Sequence, residues 1–289
     1  MADTMLSFGN DNLSNVFLTN EDIKSKCPVA FLKTPTNPNV SDKYVQANTE
    51  TVINDLRKLG WLPVEAKQCR AKRNSSGIRS FHMLCFQNPD VKITKKDSDG
   101  NETVDCYPRI ILTNGHDGFN SFKFMVGLFR LVCSNGLVVS TNEMANFSIR
   151  HINYDFETLR EIVKKTIDEV PNIVCKMNDM RNIIITNEDK IKLAREVVRI
   201  RKNIPENIEV GVDDDTLLDI LSPVRNEDNG NDLWTVFNIC QEKLIKGGFS
   251  SINKQNKQRK QRSITSIRKD IDYNQKLWNK AMELMPVMV

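Results

Sequence analysis

The stretch TNGHDGFNSFKFMVGLFRLVCSNGLVVS, Thr113–Ser140, decides how the chain folds. Phe122, Phe124, Val126 and Leu128 alternate with Ser121, Lys123, Met125 and Gly127. That period of two predicts a strand with one face in a core, although GLFRLVC also suits a helical turn before Ser134-Asn135-Gly136. Gly115 and Gly118 permit a tight turn before the strand, and Asn135-Gly136 tolerates positive φ in a second turn after it. A strand bounded by short turns belongs to an antiparallel meander, because parallel strands need crossovers of about a dozen residues or more.

The same pattern extends upstream. RSFHMLCFQN (79–88) is strand-like and apolar on both sides, and DSDGN (97–101) is a turn between VKITKK and CYPRIILTN. Residues 62–150 therefore read as the meander. Before it, Val45, Val52, Ile53, Leu56 and Leu59 predict a helix from Lys43 to a stop at Gly60. The first forty residues are polar, contain Pro35 and Pro38, and read as an arm. After Arg150 the period becomes helical. Phe156, Leu159, Ile162, Val163, Ile167 and Val170 follow Asp155, and Ile191, Ala194, Val197 and Val198 follow a TNED start. An acidic stretch between Pro205 and Gly230 predicts a short helix and then a loop. The fold class is α+β: an antiparallel sheet with a packed N-terminal helix, then a mainly helical half. The boundaries are 1–40 for the arm, 41–152 for the α+β part and 153–289 for the helical part, the two larger parts sharing a core.

A hydrophobic content of 39% over 289 residues is enough for a sizeable core. No stretch approaches the ~18 apolar residues of a membrane span, and MADTMLSFGNDNLSNVF lacks a secretion signal. The expected location is the cytoplasm, with no membrane partner. Seven scattered cysteines without a C-x-x-C pair read as reduced, mostly buried thiols rather than disulfides or a zinc knuckle.

The net charge of +4 is small, but its distribution is uneven. KLIKGGFSSINKQNKQRKQRSITSIRK, residues 243–269, holds nine basic residues and no acid in a chain with 37 acids. Gly247-Gly248 opens this segment, and DYNQKLWNKAMELM closes the chain as an amphipathic helix. Such a segment suits a strand of phosphates, each neutralised phosphate releasing counterions; it reads equally as a solvated surface loop. Trp234, Phe237 and Phe249 are candidate stacking faces. Trp234 and Phe237 at i, i+3 favour packing inside a helix, whereas Phe249 beside the glycines is expected at the surface.

Catalytic readings fare poorly. A metal-dependent phosphohydrolase needs more than the three histidines present, His82, His116 and His151. A Cys133 nucleophile would need His116 on an adjacent strand and the same face. His116 and Asp117 instead suit the bracing of a turn, Asp117 bonding backbone amides. No metal, cofactor or catalytic residue is expected.

His116, Asp117 and Gly118, followed by Arg130, Val132, Cys133, Asn135 and Gly136, resemble the signature H-D-G-S-x-A … R-x-V-C-x-N-G of a phage- and plasmid-borne family called "domain of unknown function 932". Phe119-Asn120 departs from it, standing where the family tends to have small Ser-type residues. The resemblance runs from about residue 25 to 285, through KYVQANTETVINDLRKLGW, SPVRNEDNGNDLWTVFNICQEKLIKGG and RSITSIRKDIDYNQKLWNKA. The family in turn looks distantly similar to single-strand annealing recombinases. That likeness implies a basic groove on an antiparallel sheet, and a protein that binds or anneals single-stranded DNA in recombination or replication, as a homo-oligomer in some arrangements. The expected contacts are Lys254, Lys257, Arg259, Lys260, Arg262 and Arg268, with Lys123 and Arg130 from the sheet. The alternative is a non-enzymatic protein-interaction module of a phage or mobile element, a host-defence modulator or assembly factor, whose basic segment meets an acidic partner.

Overall fold

The computed structural model describes residues 4–8, 17–37, 39–40, 46, 48–69, 80–96, 99–120, 122–130, 135–139, 148–149, 155–225, 228–252 and 258–286; for 4–8, 135–139, 148–149 and 252 it describes the backbone. Cys133, Lys254 and Lys257 lie outside the described residues.

The spine of the sheet is β5 (Glu102–Asn114), thirteen residues long. One of its edges pairs with β6 (Phe122–Arg130), Leu112 opposite Phe124 and Ile110 opposite Val126. Its other edge is shared end to end by β3 (His82–Gln87) and β4 (Val91–Lys96), with Gln87 opposite Arg109 and Ile93 opposite Cys106. Pro108, which has no amide to give to a ladder, stands opposite the interruption between them. The outer ranks are split the same way. β2 (Leu62–Gln68) flanks β3 and β1 (Thr4–Phe8) flanks β4, while β7 (Asn135–Val139) and β8 (Ser148–Ile149) share the far edge of β6. Every pairing is antiparallel, as the alternation and short turns predict.

Two expectations need correction. Asn135-Gly136 does not form the turn after β6. Arg130 pairs with Asn135 and Phe129 with Gly136, so both residues already belong to the ladder. The first forty residues are more than an arm. They supply β1, a helix α1 (Asn20–Lys26) and a 3-10 turn at Pro28–Phe31. Thr19 and Asp22 form a reciprocal cap at the start of α1, and Ile23, Cys27 and Ala30 are buried against the sheet.

The sheet is covered on both faces, which is why its strands read as apolar on both sides. On one face α1, α2 (Thr49–Lys58) and the start of α3 (Phe156–Asn182) bury Leu84, Phe86, Ile110, Leu112, Phe122 and Phe124. On the other, Ile267 of α7 (Ile267–Met282) meets Met83, Cys85 and Ile111. The alternating residues of β6 divide between two clusters. Phe122 and Phe124 join α1–α3, whereas Val126 and Leu128 join the helical half. That half contains the end of α3, α4 (Asn187–Lys202), α5 (Asp214–Leu221), α6 (Leu233–Lys246) and α7. Trp234 and Phe237 stack at 5.8 Å and Phe237 meets Trp278 edge-on at 5.6 Å, so these aromatics are core. The described cysteines are free thiols, and burial pushes Cys27 and Cys240 up to about 12.

Candidate nucleic-acid interface

The basic segment between α6 and α7 is a β-hairpin. Its strands are β9 (Ser250–Ile252) and β10 (Gln258–Lys260), with Arg259 opposite Ser251. Gly247 and Gly248 (φ 73° and 88°) turn the chain out of α6, and a Cβ on Gly247 would sit 2.5 Å from the Gln261 carbonyl oxygen. The turn also folds Phe249 back into the core. It is 1% exposed, which corrects its expected surface position.

The root of the hairpin is fastened on several sides. Ser250 N donates to Asp219 Oδ2 of α5 at 2.9 Å, Thr216 Oγ1 donates to Ser250 O at 3.0 Å, and Ile264 N donates to Ile245 O at 2.8 Å. Arg201, in the last turn of α4, lies over the Phe249 ring at 5.6 Å. It donates to Leu244 O and Arg262 O, each at 2.8 Å, and more loosely to Lys243 O and Ile245 O. A cation among the last carbonyls of α6 also complements the helix dipole. Burial lowers the Arg201 guanidinium from its ordinary value, with Tyr273 acting against this. From this root Arg259, Lys260 and Arg262 extend into solvent. With Arg201 and Gln261 they line an open concavity of about 660 Å³, with no acidic side chain in its wall among the described residues.

A second concavity, of about 370 Å³, lies between the sheet and the start of α7. Lys123 and Met125 of β6 form its floor, Phe81 and Phe119 contribute aromatic walls, and Arg268 and Gln275 come from α7. Arg268 lies over the Phe81 ring at 4.3 Å and donates to Asn120 Oδ1. The rim loop, Gly115–Asn120, is tied down throughout. Asp117 Oδ1 accepts from Phe119 N at 3.0 Å, and both Asp117 carboxylate oxygens accept from Asn120 Nδ2. The His116 carbonyl accepts from Thr36 N at 2.7 Å, and His116 N donates to Ser80 Oγ at 2.7 Å.

The chain matches the family described as "Domain of unknown function (DUF932)" over residues 38–278. It belongs to that family. It is also similar to UPF0380 protein YafZ and UPF0380 protein YfjQ of Escherichia coli (strain K12), each 27% identical over 273 residues, covering 93% of this chain and 92% of the relative. No solved structure matches it.

The DUF932 signature has a structural meaning here. His116 is buried with its ring 5.2 Å from that of His82, and Asp117 caps the loop. Gly118, at φ 78°, abuts Val40. Among the described residues, no three His, Cys, Asp or Glu side chains are grouped to hold a metal ion. Arg130 is not on the surface as expected. It is 6% exposed and donates to Asp228 Oδ1 at 2.7 Å, so its charge is compensated inside the protein. Lys243 and Lys246 of the basic segment are likewise paired, with Asp219 and Glu242. Arg259, Lys260 and Arg262 meet at the hairpin, and Lys123 and Arg268 at the groove. Arg201, Phe81 and Phe119 were not singled out from the sequence. The only sequence signal among them was that Phe119 interrupts the family's small-residue pattern.

The loop rests on a buried polar cluster with a pH consequence. His82 Nδ1 is 2.7 Å from Ser80 O, which only accepts, so Nδ1 carries the proton. Nε2 then accepts from Thr49 Oγ1 at 3.1 Å, and that hydroxyl accepts from Asn114 Nδ2. Burial pushes the His82 pKa down to about 3. The folded value lies below the unfolded one of about 6.5, so the neutral ring's contribution is complete above that pH and is lost as pH falls towards the folded value. A His82→Gln variant should lack this loss. Between pH 6 and 4 the parent's stability should fall faster than the variant's by about 1.4 kcal/mol per pH unit. Parallel melting curves against pH would contradict this.

Proposed function

We propose that this DUF932 protein binds single-stranded DNA through the hairpin β9–β10. The observation that carries the reading is the wall formed by Arg201, Arg259, Lys260 and Arg262, acid-free among the described residues, on a root fastened by hydrogen bonds. Cations facing one open concavity suit successive phosphates of a flexible strand, since each contact releases counterions. Lys254 and Lys257 belong to the connection between the two strands and add to the same charge. No catalytic chemistry is needed. Among the described helices none is long and apolar enough to cross a membrane. Strand annealing in recombination or replication, homo-oligomeric assembly and a cytoplasmic location are the wider form of the proposal.

The test compares the parent with an Arg259→Ala, Lys260→Ala, Arg262→Ala triple variant by fluorescence anisotropy on a labelled single-stranded oligonucleotide. Three lost phosphate contacts at about 0.7 log units per decade of salt amount to a loss on the order of 100-fold at ~0.1 M salt relative to 1 M. The fold should survive. The three side chains are exposed, and Arg201 grips the Arg262 carbonyl rather than its side chain. Equal binding by the folded variant would remove the hairpin from the reading. Binding of neither protein to any oligonucleotide would favour the acidic protein partner.

A further inference from the structure

The geometry points to a nucleobase-binding subsite in the groove between β6 and α7, which receives one unstacked base of the strand held by the hairpin; this inference rests on the hairpin reading. Phe119 is 84% exposed, yet its backbone is fixed. Its amide donates to Asp117, the residue before it is Gly118 at φ 78° against Val40, and Asn120 on its other side is bonded to Asp117 and Arg268. An aromatic ring on a pinned backbone has only two torsions to lose and makes a low-entropy stacking platform. Across the groove the Arg268 guanidinium lies over the Phe81 ring at 4.3 Å and donates to Asn120. Arginine planes and aromatic faces are the two surfaces on which unpaired bases stack.

The rest of the lining joins apolar side chains, Phe124, Met125 and Ile271, to polar groups suited to the edges of a base. Asp272 and Gln275 of α7 offer an acceptor and an amide, and Lys123 is exposed on the floor, where an adjoining phosphate would lie. The volume of about 370 Å³ falls at the small end of ligand sites, which run from about 300 to 1,000 Å³. One strand reaches both places. Arg262 lines the hairpin concavity and Arg268 the groove, and six residues of chain span at most about 22 Å.

The experiment uses single-stranded oligonucleotides of about 12 nucleotides, a length within single-strand site sizes. One set is intact, one carries abasic positions and one carries 5-iododeoxyuridine for photo-crosslinking. Phe119→Ala should weaken binding of the intact oligonucleotide roughly five- to a hundredfold, the range of one stacked base. It should leave the salt slope and melting temperature unchanged, and it should not weaken binding of the fully abasic strand. Phe119→Trp should retain parental affinity, and crosslinked peptides should contain Phe119 or Phe81. Binding by Phe119→Ala within twofold of the parent, with crosslinks confined to the hairpin, would overturn the subsite and leave the hairpin reading standing. Loss with Phe119→Ala while the Arg259, Lys260, Arg262 variant binds like the parent would overturn the hairpin reading and support the groove as the primary site. No binding by any form would overturn both.

Discussion

Replacing Asp228 by Ala is expected to destabilise the protein by about 3–5 kcal/mol, the cost of leaving a buried charge without its partner. Asp228 is 2% exposed and accepts from two arginines, Arg130 at 2.7 Å and Arg225 at 2.9 Å. Arg225 continues to Glu242 of α6, which also pairs with Lys246. These charges join the end of β6, the loop before α6 and α6 itself. Removing the carboxylate takes its 2.7 Å ion pair from the buried Arg130. Thermal denaturation should show a fall in melting temperature on the order of 10 °C. Arg130→Ala should lose a similar amount, and the double variant should lose much less than the sum, because neither single change leaves the pair intact. A strictly additive double variant would show that the two residues do not depend on each other.

Gly247→Ala should be the most damaging single change to the hairpin. At φ 73° and ψ −132° the backbone occupies a region that side chains rarely enter, at a cost of roughly 1–3 kcal/mol. The added methyl would also meet the Gln261 carbonyl oxygen at 2.5 Å, backbone that cannot swing aside. The clash pushes Gln261 off Phe249 and Gly248, with which it exchanges backbone hydrogen bonds at 2.8 and 2.9 Å. Melting temperature and oligonucleotide affinity should therefore fall together. Gly248→Ala makes a sharp control. Its φ is also positive, but nothing lies within 4 Å of an added methyl, so only about 1–2 kcal/mol should be lost and binding should persist. Equal effects at the two positions would contradict the clash.

The fold was legible where side-chain period and local chemistry agree. The alternation from Phe122 to Leu128 specified β6 and its buried face, and Asp155 with its apolar followers specified the start of α3. The same tetrapeptide, Thr-Asn-Glu-Asp, starts both α1 at Thr19 and α4 at Thr186. It was decisive in the second place and passed over in the first, where the polar surroundings concealed a helix that buries few residues. The site was less legible because its determinants are long-range. Arg130 looks like a surface cation until the chain brings Asp228 to it from 98 residues away. Phe249, between glycines and cations, looks exposed until the Gly247 turn folds it inward. Arg201 reads as an ordinary basic residue in a last helical turn, and nothing local indicates that its fork will close over the end of α6. The charge of the hairpin was visible; the hydrogen bonds that fasten its root were not.

Whether the hairpin cations hold phosphates is decided by the salt dependence of single-strand binding. Equilibrium titrations of the parent and of the Arg259→Ala, Lys260→Ala, Arg262→Ala variant are run from low to moderate salt, and log affinity is plotted against log salt concentration. Three contacts from Arg259, Lys260 and Arg262 give an expected parental slope of about −2 or steeper, and the variant's slope should flatten by about 2. A parental slope near zero, or one that the triple substitution leaves unchanged, would mean that these cations do not hold phosphates.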